Sequence, residues 1–291
     1  MIDLLLSIAS STIILLIFKI IEKQKVPIFP PIVINYITAA SLGFVLNRSN
    51  PIVIFSEVPV WIYFSIIIGI LLIVNFFFIG NATQKSGIAI TTVSAKMSFV
   101  LPVLYSLLFD VNDVFTLAKA ILLLLAMVSV FLVVLPNKYS LKGKMTIVYP
   151  ILIFFGLGLL DSLIKYCQYN YISNPESSSI FSGVNFSIAG IIGLVVLLFS
   201  KKSRKTILNI KVLILGVALG AANFGSMYFI INALNALKYD NSMVFGINNI
   251  GVVVLSVLMA VLVFKEKYSK INWIGLIISV IVLIGMIRIF V

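Results

Sequence analysis

Long apolar runs alternate with short polar connections along this chain, and the runs have the length that a lipid-spanning helix requires. A bilayer core takes about 20 residues of α-helix. Ten runs meet or approach that length: approximately 2–21, 31–46, 59–80, 86–109 and 114–135, then 145–168, 178–199, 212–234, 243–264 and 271–290. The second is the shortest. The connections are short, so no loop holds a soluble catalytic or ligand-binding domain. The pattern predicts an all-α integral membrane protein with ten transmembrane helices.

The fourth run interrupts the apolar pattern. SGIAITTVSAKMSFVLPVLYSLLF carries Lys96 near its midpoint and Pro102 six residues later. A lysine at mid-membrane costs roughly 2.5–3.5 kcal/mol on insertion scales and normally faces a cavity or a partner. Lys96 is therefore the first candidate for function, as an anchor for an anionic or zwitterionic substrate or as a group that changes protonation. The alternative is a structural lysine bonded to helix-end carbonyls. Pro102 lacks an N–H, so it releases a carbonyl one turn back, near Ser98, and predicts a hinge or a static kink there.

The sixth run adds Asp161 and Lys165, four residues apart and hence on one helical face. Asp161 is read as a gate or coupling carboxylate opposite Lys96, or as Lys165's internal partner. Lys165 then either joins the site or reaches the nearby interface. Asn35, Asn75, Asn185, Asn223, Asn248 and Asn249 form a further candidate set, each able to bond a substrate or another helix. Asn248-Asn249 in the ninth run lies at about the depth of Lys96, and with Asn75 completes the candidate substrate-binding set. Bonding between helices is the commoner use of such amides. Gly156-x-Gly158 and Gly216-x-x-x-Gly220 predict close helix packing.

Composition supports the membrane reading. Of 291 residues 62% are hydrophobic and 10% charged, with mean hydropathy +1.21. A soluble domain carries nearer a quarter charged residues. The formal charge of +12 suggests nucleic acid only until the basic residues are placed. Fifteen of the 21 lie in or beside the connections after runs 1, 3, 5, 7 and 9. The positive-inside rule makes those connections cytoplasmic and puts both termini outside. Asp110, Asp113 and Lys119 fall in the opposite set. Lys201–Lys205 either fixes orientation or meets anionic lipid headgroups. With no histidine and one cysteine, Cys167, the chain lacks the common metal and proton-shuttle residue and forms no intrachain disulfide. No cofactor is expected. The N-terminus lacks a basic n-region and is expected to be a retained helix.

The chain also repeats itself. Asn35-Tyr36-x-x-Ala39-Ala40-x-x-Gly43 corresponds to Asn185-Phe186-x-x-Ala189-Gly190-x-x-Gly193, and Asn81-Ala82 to Asn232-Ala233. Asp161 then aligns with Ser11. These matches predict two five-helix halves, residues 1–137 and 138–291. An odd number of helices per half makes them inverted repeats, an architecture of secondary transporters.

At this point the chain resembles the ten-helix, EamA-like branch of the drug/metabolite transporter superfamily. The resemblance covers essentially the whole chain. It rests on helix count, the half-to-half match, the stretch TTVSAKMSFVLPVLYSLLF and the C-terminal stretch VLMAVLVFKEKYSKINWIGLIISVIVLIG, with Glu266 before a final helix bearing Gly275. Where the family often carries a first-repeat glutamate, this chain reads Asp110-Val111-Asn112-Asp113. The resemblance implies cytoplasmic termini, the reverse of the charge reading. It implies a secondary transporter in the bacterial inner membrane, not an enzyme. The expected function is alternating-access transport of a small organic metabolite, carboxylate-bearing or amino-acid-like, with a coupling ion or counter-substrate as partner. A lipid or lipid-carrier flippase on the same fold is the alternative. A membrane-embedded transferase is disfavoured, because the chain has no histidine and no carboxylate pair within the runs.

Overall fold

A computed structural model describes residues 2–46, 59–85, 94–110, 116–134, 145–236, 241–265 and 269–290. The described secondary structure is helical throughout, with no strand among the described residues. The long helices are α1 (Ile2–Lys23), α2 (Phe29–Val45), α3 (Trp61–Lys85), α4 (Val100–Phe109), α5 (Leu117–Val134), α6 (Met145–Tyr171), α7 (Pro175–Phe199), α8 (Ile210–Ala236), α9 (Asn241–Phe264) and α10 (Lys270–Phe290). A short helix, Lys201–Thr206, links α7 to α8. Seven helices are long and apolar enough to cross a membrane, and the helices over 29–45, 94–109 and 117–132 are apolar but shorter. The chain is a multi-pass membrane protein. Helices suit that setting because they satisfy every backbone polar group internally.

Helix ends differ from the apolar runs where caps decide them. α2 begins before Pro31 because prolines fit a first helical turn, where the missing N–H has no intrahelical partner. α7 begins at Pro175, not at 178. Asn174 Oδ1 accepts from Ser177 N (2.8 Å), and Ser177 Oγ accepts from Asn174 N (3.2 Å), a reciprocal cap. α1 ends in a paired C-terminal motif. Lys25 N donates to Glu22 O and Val26 N to Ile21 O, with Lys25 at φ 53°.

The helices group into two compact units, each drawing on both sequence halves. One comprises residues up to Phe77 with Tyr166–Asn235, the other Phe78–Lys165 with Ala236 onward. The expected boundary between halves at 137/138 lies outside the described residues, as do Asp113 and Glu266.

In the first unit α2 packs on α7. Contacts between Gly43 and Gly183, Tyr36 and Gly190, and Val33 and Gly193 show that the two run antiparallel. A β-carbon on Gly43 would lie 2.5 Å from Gly183 Cα, so only glycine permits this approach. Ser179 Oγ seals it by donating to Gly43 O at 2.7 Å. Rings fill the middle of the crossing. Tyr36 stacks on Phe186 and meets Phe76 edge-on, and its hydroxyl donates to Leu72 O at 2.9 Å. α3 lies along α7 in the same direction, with Trp61 against Phe181 and Gly69 against Ile188. α8 contacts α2 through Gly216 and Gly220, and α1 through Gly225 and Ser10. Small residues at these crossings let membrane helices gain dispersion contact where lipid offers no hydrophobic drive.

In the second unit α5 packs on α10 and α9 on both, around Val130, Val253, Val257 and Leu276. Ser269 caps α10 through Asn272, whose Nδ2 donates to Leu132 O of α5 at 3.1 Å.

Candidate functional site

The polar side chains singled out by the sequence gather mainly in the second unit, on α4, α6 and α9. α4 is not continuous with the turn before it. Residues 94–97 form a helical turn, the chain breaks step at Ser98-Phe99, and α4 resumes at Val100. The cause is Pro102. Without its N–H, Ser98 O accepts from Leu101 N at 3.0 Å, a bond three residues long in place of four. Ser98 Oγ turns back to Ala95 O at 2.7 Å. Met97 packs on the Val130–Val253 core. Successive helical residues are about 100° apart, so Lys96 leaves the turn in a different direction from Met97. The first part of the predicted span, 86–93, lies outside the described residues.

α6 presents Asp161 and Lys165 on one face, but the two do not form the pair that their spacing suggests. Lys165 Nζ bonds Asp110 Oδ2 at 2.9 Å, with the two side chains 0% and 1% exposed. Asp110 also accepts from Asn241 Nδ2 at 2.6 Å, so one carboxylate ties together the end of α4, α6 and the start of α9. Sequence reasoning grouped Asp110 and Lys119 with the charges on the side opposite the lysine-rich connections. The structure buries both, Asp110 as the C-cap of α4 and Lys119 in the first turn of α5. Nothing in the hydrophobic pattern marked the partner of Asp110, 55 positions away.

Asp161 instead acts electrostatically with Lys96. Among the described residues neither makes a hydrogen bond or a direct ion pair, and both are half-buried. An ammonium and a carboxylate within electrostatic reach of each other, each with a vacant hydrogen-bonding capacity, can receive the two ends of a bipolar ligand. On α9, Asn241 and Asn248 are seven residues apart and share a face. Asn248 is half-buried, with Oδ1 enclosed and without a partner. Asn249 is buried and donates to Phe245 O of its own helix at 3.0 Å.

Asn75 belongs to the other unit. It is 1% exposed, and both amide atoms lack partners. Asn185 is likewise buried and unpartnered, whereas Asn223 Nδ2 donates to Asn35 Oδ1 at 3.1 Å, the interhelical use expected of membrane amides. Among the described residues no group of three or more His, Cys, Asp or Glu side chains gathers to hold a metal ion.

No family model matches the chain. A Haemophilus influenzae protein described as uncharacterized shares 28% identity over 290 residues, 95% of this chain and 94% of that one. A protein of known crystal structure superposes with a TM-score of 0.72 at 15% identity, over 99% of this chain and 98% of that one. In fold, the chain is similar from end to end to a protein already seen in a crystal.

Proposed function

We propose that this protein is a secondary transporter of a small zwitterionic metabolite, amino-acid-like in carrying one ammonium and one carboxylate. The observation that carries the reading is the arrangement of Lys96 and Asp161. Mid-membrane charges cost free energy and persist where they serve a ligand or ion path. A directly bonded pair would be explained by structure alone; these two charges are close enough to interact and remain unbonded. Lys96 takes the carboxylate, Asp161 the ammonium, and Asn248 Oδ1 accepts a further hydrogen bond. The candidate set Lys96, Asp161 and Lys165 has net charge +1. The Asp110–Lys165 pair removes Lys165 from that account and leaves a balanced site, which favours a zwitterion over a plain carboxylate.

Helix contacts support an inverted repeat behind this site. On α2 and α7, Gly43 against Gly183 and Val33 against Gly193 flank the Tyr36–Phe186 stack on either side. Exchanging each residue for the one 150 positions away turns one contact into the other. The Gly69–Ile188 contact of α3 and α7 recurs as Gly220–Thr38 of α8 and α2, again about 150 positions away. Residues 1–137 and 138–291 are accordingly proposed as two halves of opposite orientation, with ten crossings. Alternating access between such halves moves substrate down a gradient or by exchange. The bacterial inner membrane and the drug/metabolite transporter superfamily belong to the same proposal.

The test is counterflow. Purified protein in liposomes preloaded with one unlabelled amino acid at a time is expected to accumulate external label of the same amino acid, without ATP. Lys96→Ala is expected to abolish the accumulation. Equal accumulation by wild type and Lys96→Ala, or none for any amino acid, would count against the reading.

A further inference from the structure

The turn between α7 and α8 lies apart from the proposed transport site and concentrates charge at the edge of an apolar surface. Exposed apolar side chains run along α7 as far as Phe199, which is 86% exposed, and resume at Leu208 (81%) and Ile210 (65%). Between them the sequence places Lys201, Lys202, Arg204 and Lys205, with Lys211 just beyond. Arg204, Lys205 and Lys211 are exposed. Among the described residues their side chains have no hydrogen-bond or ion-pair partner. No acidic residue occurs between Glu176 and Asp240.

The turn is also held in shape. Its short helix packs on α7 and α2. Ser200 Oγ accepts from Ser203 N at 3.3 Å, and Asn209 Oδ1 accepts from Lys211 N at 3.0 Å, so both helices that leave the turn are capped. Each then carries a lysine in its first turn, where the positive end of the helix dipole disfavours a cation. An external anion would offset that cost. Lys25 differs: it stands at the C-terminal end of α1, three residues after Glu22, where helix carbonyls and an acid already favour a cation.

We infer that the α7–α8 turn is a docking surface for anionic phospholipid headgroups. Phosphates meet Arg204, Lys205 and Lys211, while Phe199, Leu208 and Ile210 enter the acyl boundary. This combination fits a bilayer surface better than a soluble polyanion, which gains nothing from the apolar side chains.

The experiment counts the lipids that purified protein retains from nanodiscs of equal phosphatidylglycerol and phosphatidylethanolamine, by native mass spectrometry. Wild type is expected to retain phosphatidylglycerol preferentially. Arg204→Gln, Lys205→Gln and Lys211→Gln are each expected to lower that preference by about fivefold, and the triple variant to lose it. Lys25→Gln is expected to keep it. Should the triple variant fail to fold, the single substitutions at these exposed, unpartnered positions decide. Equal retention of both lipids by wild type, or the wild-type preference in all three single variants, overturns the inference. A loss in Lys25→Gln as large as in Lys205→Gln overturns it too, because the preference then follows net charge. Displacement of the retained phosphatidylglycerol by excess inorganic phosphate would show a site for free phosphate and likewise overturn it.

Discussion

Single residues show where sequence reasoning is strong and where it stops. Lys96 and Asp161 could be singled out from charge in apolar runs, since insertion cost marks each such residue by itself. Which charge meets which could not. Spacing of four implied an Asp161–Lys165 pair, but Lys165 turns to Asp110, because contacts between helices are not encoded in the period of one helix. Asn248-Asn249 likewise looked like a unit, although one amide is spent on its own helix and the other is not. Lys25 offers a check on local strain. It holds a left-handed conformation at a position where glycine carries no Cβ penalty. Lys25→Gly is expected to stabilise the protein by about 0.5–1 kcal/mol, read as a higher unfolding midpoint in detergent. A lower midpoint would mean that the lysine side chain contributes more than its backbone strain costs.

At the scale of elements, each long helix among the described residues falls on one of the apolar runs, and the differences lie at ends and breaks. Capping by Asn174 and the first-turn prolines of α2 moved boundaries by a few residues. The break before α4 follows from the missing N–H of Pro102, which sequence foresaw, together with the shortened Ser98–Leu101 bond, which needed coordinates. Packing between elements was legible only as repeated glycines. Their partners emerge from the crossings, above all Gly43 on Gly183. Gly43→Val is therefore expected to separate α2 from α7 and to cost about 1–3 kcal/mol, the usual penalty for overpacking. A calorimetric or fluorescence melt measures it. A melting point unchanged from wild type would show that the two backbones do not approach as closely as described.

For the whole molecule, the sequence organised the chain into consecutive halves, whereas its compact units each combine segments of both halves. That interleaving was beyond reach of a linear reading, because it depends on which helices meet, as α2 meets α7 and α5 meets α10. It puts Lys96, Asp161, Asn248 and the Asp110 network in one unit while drawing them from helices on both sides of the 137/138 boundary. The central claim is that Lys96 and Asp161 divide a zwitterion between them. The most direct measurement is calorimetric titration of three ligands into wild type, Lys96→Met and Asp161→Asn: the best-binding amino acid, its carboxamide and its deaminated acid. The account predicts that wild type rejects both analogues, that Lys96→Met no longer distinguishes acid from carboxamide, and that Asp161→Asn no longer distinguishes the presence of the amine. If both variants keep the full wild-type discrimination, the two charges are not the ligand's partners and the account is contradicted.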